Sequence, residues 1–485
     1  MTEPSPAAAY PLEPEGEGLE ALTQACVRFV LQHVETLGTQ PAADVADARA
    51  LAESFREAVP ESGSKIDVLL ARLGPAVAKS YNAAGPGYLA YIPGGGVYAA
   101  ALADFIACAV NRYVGVAAAA PVLARIEETV LRWLAALMGY PETAGGILTS
   151  GGSLSNLSAI VTAREALLGE DLGLGRLYVS EDTHHCVAKA ARIAGLWRES
   201  VVVLPVDDRR RLIPEALAEA VGRDREKGLR PFLVAASVGT TNTGAIDPLR
   251  AIVGIARAHG LWVHADAAYG GFFRLVAAGE DLLDGLEACD SITLDPHKGL
   301  FLPYGTGCLL VRDRDLLRRA HQGGAEYLQD AVAELDGPSF ADLSPELSRD
   351  FRGLRLWLPI QLHGLGAFRE QLQEKLDLAR LAYDALRQDE LFEMVDEPQL
   401  SIVAFRLRGT GPEADARSAE LLRRVNARGR VFLSSTRLGG RYTLRICVLS
   451  FRTHEERIRD AIVALREEAR AISHEATDRH AEPAR

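Results

Sequence analysis

Two spacings of apolar residues divide the chain. Near the start they recur at helical intervals: Leu22, Cys26, Phe29, Val30, His33 and Val34 fall on one face of a helix predicted over 19–37. A second amphipathic helix is predicted near 65–80, and a longer one starts near Ala99. Neither of the first two is long enough to bury its face alone, so each needs something to lie on. From Gly146 the pattern turns into short apolar runs alternating with helical stretches. Strands are predicted at 146–149, 176–180, 201–205, 232–238 and 261–266, and another leads from Asp290 toward Lys298. That rhythm predicts a mostly parallel sheet covered by helices on both faces. A helix-rich stretch follows Val311. A long helix after Gly364, strands near 400–407, 431–435 and 442–449, and closing helices to about Ile472 predict a small α+β domain. Residues 1–17, rich in Pro, Ala, Gly and Glu, are expected to be disordered, and 474–485 to fray.

Composition narrows the possibilities. A chain of 485 residues exceeds one simple core, so two or three subdomains are expected. The net charge of -12, with no basic block against it, argues against a nucleic-acid partner. Six scattered cysteines without CxxC pairs read as reduced core residues, with neither a disulfide frame nor a zinc site, and no metal is expected. The start lacks a basic region followed by an apolar run, and no stretch of about 18 apolar residues occurs. A cytoplasmic protein that does not span a membrane is expected.

The chemistry concentrates at Asp295-Pro-His-Lys298, just past a buried strand that Pro296 stops from continuing. An amine among apolar strand ends loses hydration, which is expected to lower its pKa and make it nucleophilic toward carbonyls, as Schiff-base formation requires. Taken alone, it could be a surface lysine that happens to follow a strand. Asp266 ends another strand and is followed by Ala267, Ala268, Tyr269, Gly270 and Gly271, which clear space beside it. A buried carboxylate there needs a cation; a metal-bound or salt-bridged Asp is the alternative, with His264 expected on the opposite side of the strand. Asp266 and Lys298 lie one α/β crossover apart, so both can project from neighbouring strand ends into one cleft. Upstream, Gly151, Gly152 and Ser153 open a helix and can cradle a phosphate at its positive end, or form a plain Ser N-cap. His184 sits at a strand-to-helix junction, as a ligand contact or a cap, with His185 beside it as a bystander.

In this order and spacing, Asp295-Pro-His-Lys298 resembles the cofactor-lysine motif of the pyridoxal-phosphate-dependent group II amino acid decarboxylases, the family of the aromatic amino acid, histidine and glutamate enzymes. The similarity runs from about residue 18 to about 470. It implies the fold type I architecture of pyridoxal-phosphate-dependent transferases: a mostly parallel seven-stranded sheet, a small C-terminal α+β domain and an N-terminal helical segment. The implied division is 18–97 for dimerisation, 98–368 for the cofactor and 369–473 for the small domain. It further implies pyridoxal 5'-phosphate bound through Lys298, with Asp266 on the ring nitrogen, Ala268 leaving room for the ring, His184 stacked on it and Thr241 beside it. His297 would contact the phosphate. Asp295, where some relatives carry Asn or Ser, would repel that phosphate unless pointed away.

The substrate is expected to meet Tyr91, Ile92 and Pro93, from the glycine-rich run 85–96, and to meet Val114 and Val116. These are valines where aromatic decarboxylases often carry a bulky ring. The N-terminal helices imply a homodimer with the active site at its interface. The family's lid loop corresponds to 334–345, and anchoring on 349–357 puts Phe340 where the proton-donating lid tyrosine is expected, with Tyr327 as a possible substitute. The expected reaction is decarboxylation of an L-amino acid, aromatic favoured, to its amine. Phe340 opens a second possibility, an oxygen-consuming aldehyde synthase. An aminotransferase and a catalytically silent assembly protein are further alternatives.

Overall fold

The computed structural model describes residues 12–169, 171–323 and 339–481. Among the described residues twelve strands build two sheets. In chain order they are β1 (Tyr88–Leu89), β2 (Gly145–Thr149), β3 (Gly175–Ser180), β4 (Val201–Leu204), β5 (Arg230–Ser237) and β6 (Trp262–Asp266). They continue with β7 (Ser291–Leu294), β8 (Gly307–Val311), β9 (Phe392–Met394), β10 (Ile402–Leu407), β11 (Phe432–Leu438) and β12 (Arg441–Cys447).

The larger sheet has seven strands in the order β2-β8-β7-β6-β5-β3-β4. β7, β6, β5, β3 and β4 pair in parallel, and β8 runs antiparallel to both neighbours. Strands β6, β7 and β8 are buried throughout, which is why they read as unbroken apolar runs and not as alternating ones. The crossover from β6 to β7 is made of single turns, Gly271–Leu275, Gly279–Leu282 and Leu286–Ala288, and contains no full helix.

The small sheet, of order β1-β11-β12-β10-β9, packs on its own apolar core. β1 comes from the N-terminal region and pairs in parallel with β11. The segment expected to serve dimerisation is thereby stitched into the far end of the chain. The helix Gly353–Arg387 links the two domains and kinks at Gly364, whose φ of 71° and ψ of 155° leave the helical region. Of the tail expected to fray, residues 474–481 continue the helix Glu455–Ala481, and 482–485 lie outside the described residues.

The first two predicted helices are Gly16–Thr36 and Ile66–Ala78, and the third is Tyr98–Val110. They leave much of their apolar faces uncovered: Leu22, Val30, Leu69, Leu73, Phe105 and Ile106 are exposed. Cys26 and Cys108 are exposed on these helices, whereas Cys186, Cys289, Cys308 and Cys447 are buried as expected, and all six are free thiols. Among the described residues no helix is long and apolar enough to cross a membrane.

Candidate active site

The C-terminal ends of β2, β3, β5, β6 and β7 converge on a cleft of about 220 Å³, the place where an open α/β sheet presents ligand-binding groups. Lys298, Asp266, His184, His297, Thr241, Ala268, Gly152 and Ser153 all line it. Gly151 lies at its edge, since a Cβ there would come 3.5 Å from His297 Cε1.

β7 ends at Leu294, Asp295 stays extended, and Pro296 opens the single helical turn Pro296–Gly299 that carries the lysine. Pro at the first helical position fits because its missing N–H would have had no partner there. The Lys298 amine lies 2.8 Å from Asp295 Oδ2. Asp295 points into the cleft. Contrary to expectation, the lysine's pKa is not lowered: burial pushes it down, but the Asp295 carboxylate, helped by Asp266, raises it overall. Asp295 is buried, its Oδ1 has no hydrogen-bond partner, and its Oδ2 is also 3.7 Å from His297 Nε2. His297 Nδ1 donates to the Thr306 carbonyl at 2.6 Å, and burial lowers the pKa of its ring. Behind this turn the glycine-rich run presses close, and a Cβ at Gly94 would fall 1.8 Å from the His297 carbonyl oxygen, so only glycine fits there.

Asp266, the last residue of β6, accepts from Asn156 Nδ2 at 2.9 Å and from the Ala268 amide at 3.3 Å. Asn156 lies one turn into the helix Gly152–Leu167, whose N-terminus opens on the cleft. Its Oδ1 meets His264 Nε2 at 2.9 Å. His264 is therefore on the same side of β6 as Asp266, contrary to expectation, because residues two apart on a strand share a face. His184 accepts weakly from the Cys186 amide at 3.4 Å, and burial keeps its pKa low against the opposing pull of Asp266. The ring centre of His185 lies 4.2 Å from that of His184. The Thr241 carbonyl accepts from Arg445 Nη2 at 2.6 Å, so the small domain braces this wall.

The expected substrate contacts do not gather here. Tyr91 is exposed with φ 55°, its amide bonded to Ser434 Oγ at 3.2 Å, and Ile92 and Pro93 pack below it. Val114 is sealed in the large domain's core, and Val116 is also buried. None of the five lines the cleft. Phe340 is not a lid residue: its ring is fully buried with the Arg349 guanidinium 5.1 Å from its centre, and the next amide, Ala341 N, bonds the Gly115 carbonyl at 2.9 Å. A side chain fixed in its own core cannot reach over another site. Tyr327 and residues 334–338 of the expected lid lie outside the described residues.

Sequence reasoning missed Asn156, Ser237, Thr240 and Tyr269, which also line the cleft. Asn156 had a signal, since it falls four residues after Gly152 on the same helix face. The assembled groups fit pyridoxal phosphate: a lysine amine and a buried carboxylate on adjacent strand ends, with a helix N-terminus for the phosphate between them.

The family model described as the pyridoxal-dependent decarboxylase conserved domain matches residues 49–408. The aromatic-L-amino-acid decarboxylase of Bacillus atrophaeus is 32% identical, over 95% of this chain and 98% of its own length. The crystal structure of Oryza sativa TDC with PLP and tryptamine matches with a TM-score of 0.89 at 29% identity, covering 94% of this chain and 99% of its own. That of Rhodiola rosea 4-hydroxyphenylacetaldehyde synthase gives 0.88 at 25%, covering 95% and 100%. The chain belongs to the pyridoxal-dependent decarboxylases: it is a fold type I enzyme that decarboxylates an amino acid with pyridoxal phosphate as its cofactor.

Proposed function

We propose that the substrate is an aromatic L-amino acid and the product its amine. The observation that carries the site reading is that Asp266 and Lys298 face one cleft from adjacent parallel strands. Likeness to the Bacillus atrophaeus aromatic-L-amino-acid decarboxylase along nearly the whole of both chains supports the substrate class. When bound, pyridoxal phosphate supplies an aldehyde for the amine and a ring that takes up the electron pair left behind by carbon dioxide. Lys298 offers the amine at one side, and Asp266 offers a carboxylate to the protonated ring nitrogen at the other. Gly151, Gly152 and Ser153 would present backbone and hydroxyl donors to the phosphate, with His297 on the same wall of the cleft. His184, whose pKa burial lowers, would cover the ring face, with Ala268 and Thr241 beside it in the cleft lining.

The aldehyde-synthase reading rested on Phe340, and a buried ring lends it no support. Carbon dioxide, amine, aldehyde and peroxide measured across a panel of amino acids test the proposal. One amine per carbon dioxide from aromatic substrates is expected. Aldehyde with peroxide, or amino transfer without carbon dioxide, would overturn it.

A homodimer is part of the proposal, with residues 18–97 as its dimerisation segment, 98–368 as the cofactor domain and 369–473 as the small domain. The uncovered apolar faces of Gly16–Thr36, Ile66–Ala78 and Tyr98–Val110 support it. Sedimentation should give a dimer, and Phe105→Glu should shift it toward monomer. A cytoplasmic location is proposed with it, in keeping with the four buried free thiols.

A further inference from the structure

Behind Asp266 lies a row of buried polar groups that takes no direct part in the reaction. Asn156 Nδ2 is 2.9 Å from Asp266 Oδ2, and Asn156 Oδ1 is 2.9 Å from His264 Nε2. His264 Nδ1 is 2.8 Å from Ser291 Oγ, which is 2.8 Å from Trp262 Nε1. His264 and Ser291 are fully buried and Trp262 is 5% exposed. The two ends of this row are chemically fixed. An indole N–H can only donate, and an ionised carboxylate can only accept.

Every proton between them then has one place. Trp262 donates to Ser291 Oγ, and because a neutral His264 with its proton on Nε2 has a bare Nδ1, that nitrogen accepts from the Ser291 hydroxyl. His264 carries its proton on Nε2 and donates to Asn156 Oδ1. Asn156 turns its amide to Asp266, its second N–H reaching Cys186 Sγ at 3.1 Å. Burial supports the neutral ring this requires, since it pushes the pKa of His264 down to about 4. Thr293 Oγ1, 3.4 Å from His264 Nε2, and the Ser291 backbone are further polar neighbours of the ring.

The geometry points to Trp262, Ser291, His264 and Asn156 as positioning residues, a one-way chain of donors that orients Asp266 and keeps its free lone pairs aimed into the cleft. Hydrogen bonds aligned head to tail polarise one another, so the far end of the chain bears on the carboxylate. The functional half of this inference rests on Asp266 being the partner of the cofactor's ring nitrogen. The proton order does not.

Neutron diffraction from deuterium-exchanged holoenzyme crystals reads the order directly. Deuterium is expected on His264 Nε2 and not on Nδ1, with the Ser291 hydroxyl aimed at Nδ1. Deuterium on Nδ1, or on both nitrogens, would overturn the chain. Cofactor affinity then tests the consequence. Ser291→Ala is expected to weaken pyridoxal phosphate binding about five- to tenfold, roughly one polarised hydrogen bond, and Ser291→Thr to restore it. Equal affinity in Ser291→Ala and the unaltered enzyme, with the proton order as stated, would leave the order standing and overturn the positioning role. Equal weakening in the Ala and Thr variants would overturn the part given to the hydroxyl.

Discussion

Asp266 and Asp295 stand at the ends of adjacent strands and face the same cleft, yet they are held in different ways. Asp266 accepts from neutral groups, the Asn156 amide and the Ala268 backbone. Among the described residues it forms no close ion pair, although it contributes to raising the Lys298 pKa, and its charge stays available to a cation arriving from the cleft. Asp295 is matched inside the chain by Lys298 at 2.8 Å, and its second oxygen has no partner. Two carboxylates on neighbouring strands thus do opposite work. On the proposed reading one would receive the ring nitrogen, and the other raises the pKa of the lysine.

The largest expected effect breaks this comparison if it fails. Asp266→Asn should lower kcat by about 10²- to 10³-fold, because it removes a preorganised charge at the electron sink. Asp295→Asn should keep kcat within about tenfold, since the Asn can still bond the amine and no ring charge depends on it. Steady-state kinetics of both variants with saturating cofactor decide it. Equal losses would mean that the two acids are not distinguished by role.

The two sides should also answer pH in opposite directions. Burial holds the pKa of His264, behind Asp266, at about 4 against its ordinary 6.5. The unfolded chain therefore takes up that proton first. Stability from this side is intact above 6.5 and falls as pH drops toward 4, by about 3 kcal/mol in the limit. Lys298 is the reverse case, with its pKa raised above 10.5, so its contribution is full below 10.5 and is lost as pH rises through the folded value. Thermal unfolding of the cofactor-free protein from acid to alkali should show both limbs. Asp295→Asn should shrink the alkaline limb and leave the acid one unchanged.

Much of this site could be read from short-range pattern, and the rest could not, for identifiable reasons. The buried strands ending at Asp266 and leading to Lys298 announced themselves as apolar runs that stop at a charged residue, and one crossover between them made adjacency legible. β1 was not legible: two residues pairing with a strand near position 432 carry no local signature. Phe340 went wrong because counting back from residues 349–357 treats an intervening loop as rigid in length, whereas the ring is anchored under Arg349. The expected fall in the Lys298 pKa considered burial alone and left out a carboxylate three residues earlier, which one helical turn brings to the amine. Local pattern locates strand ends; which charges meet there depends on side-chain direction.

If Asp295 opposes the arriving phosphate and holds the lysine protonated, removing its charge should favour loading of the cofactor. Asp295→Asn is expected to bind pyridoxal phosphate about tenfold more tightly, and to load at lower pH, because the largest influence raising the Lys298 pKa is gone. Absorbance titration of the cofactor-free protein at several pH values measures both. Weaker binding in the variant would show that Asp295 serves the cofactor after all.

The smallest effect is expected where the two sides touch. A Cβ added at Gly152 would lie 3.0 Å from Asp295 Oδ2 and 3.3 Å from Ala268 Cβ, and the Ala268 amide is one of the two donors to Asp266. Gly152→Ala keeps a helical first residue, so the fold should survive with stability within about 1 kcal/mol. The methyl group must then displace one neighbour by a few tenths of an ångström. Asp295 is the one able to yield, because its Oδ1 has no partner and its Oδ2 can shift together with the flexible Lys298 side chain, whereas Ala268 is tied to the end of β6. The expected outcome is a loss of about threefold in cofactor affinity, with the borohydride-trapped label still on Lys298 and kcat nearly unchanged once the cofactor is saturating. A fall in kcat as large as that of Asp266→Asn would place the strain on the Ala268 side, and the two carboxylates would then be mechanically coupled through one glycine.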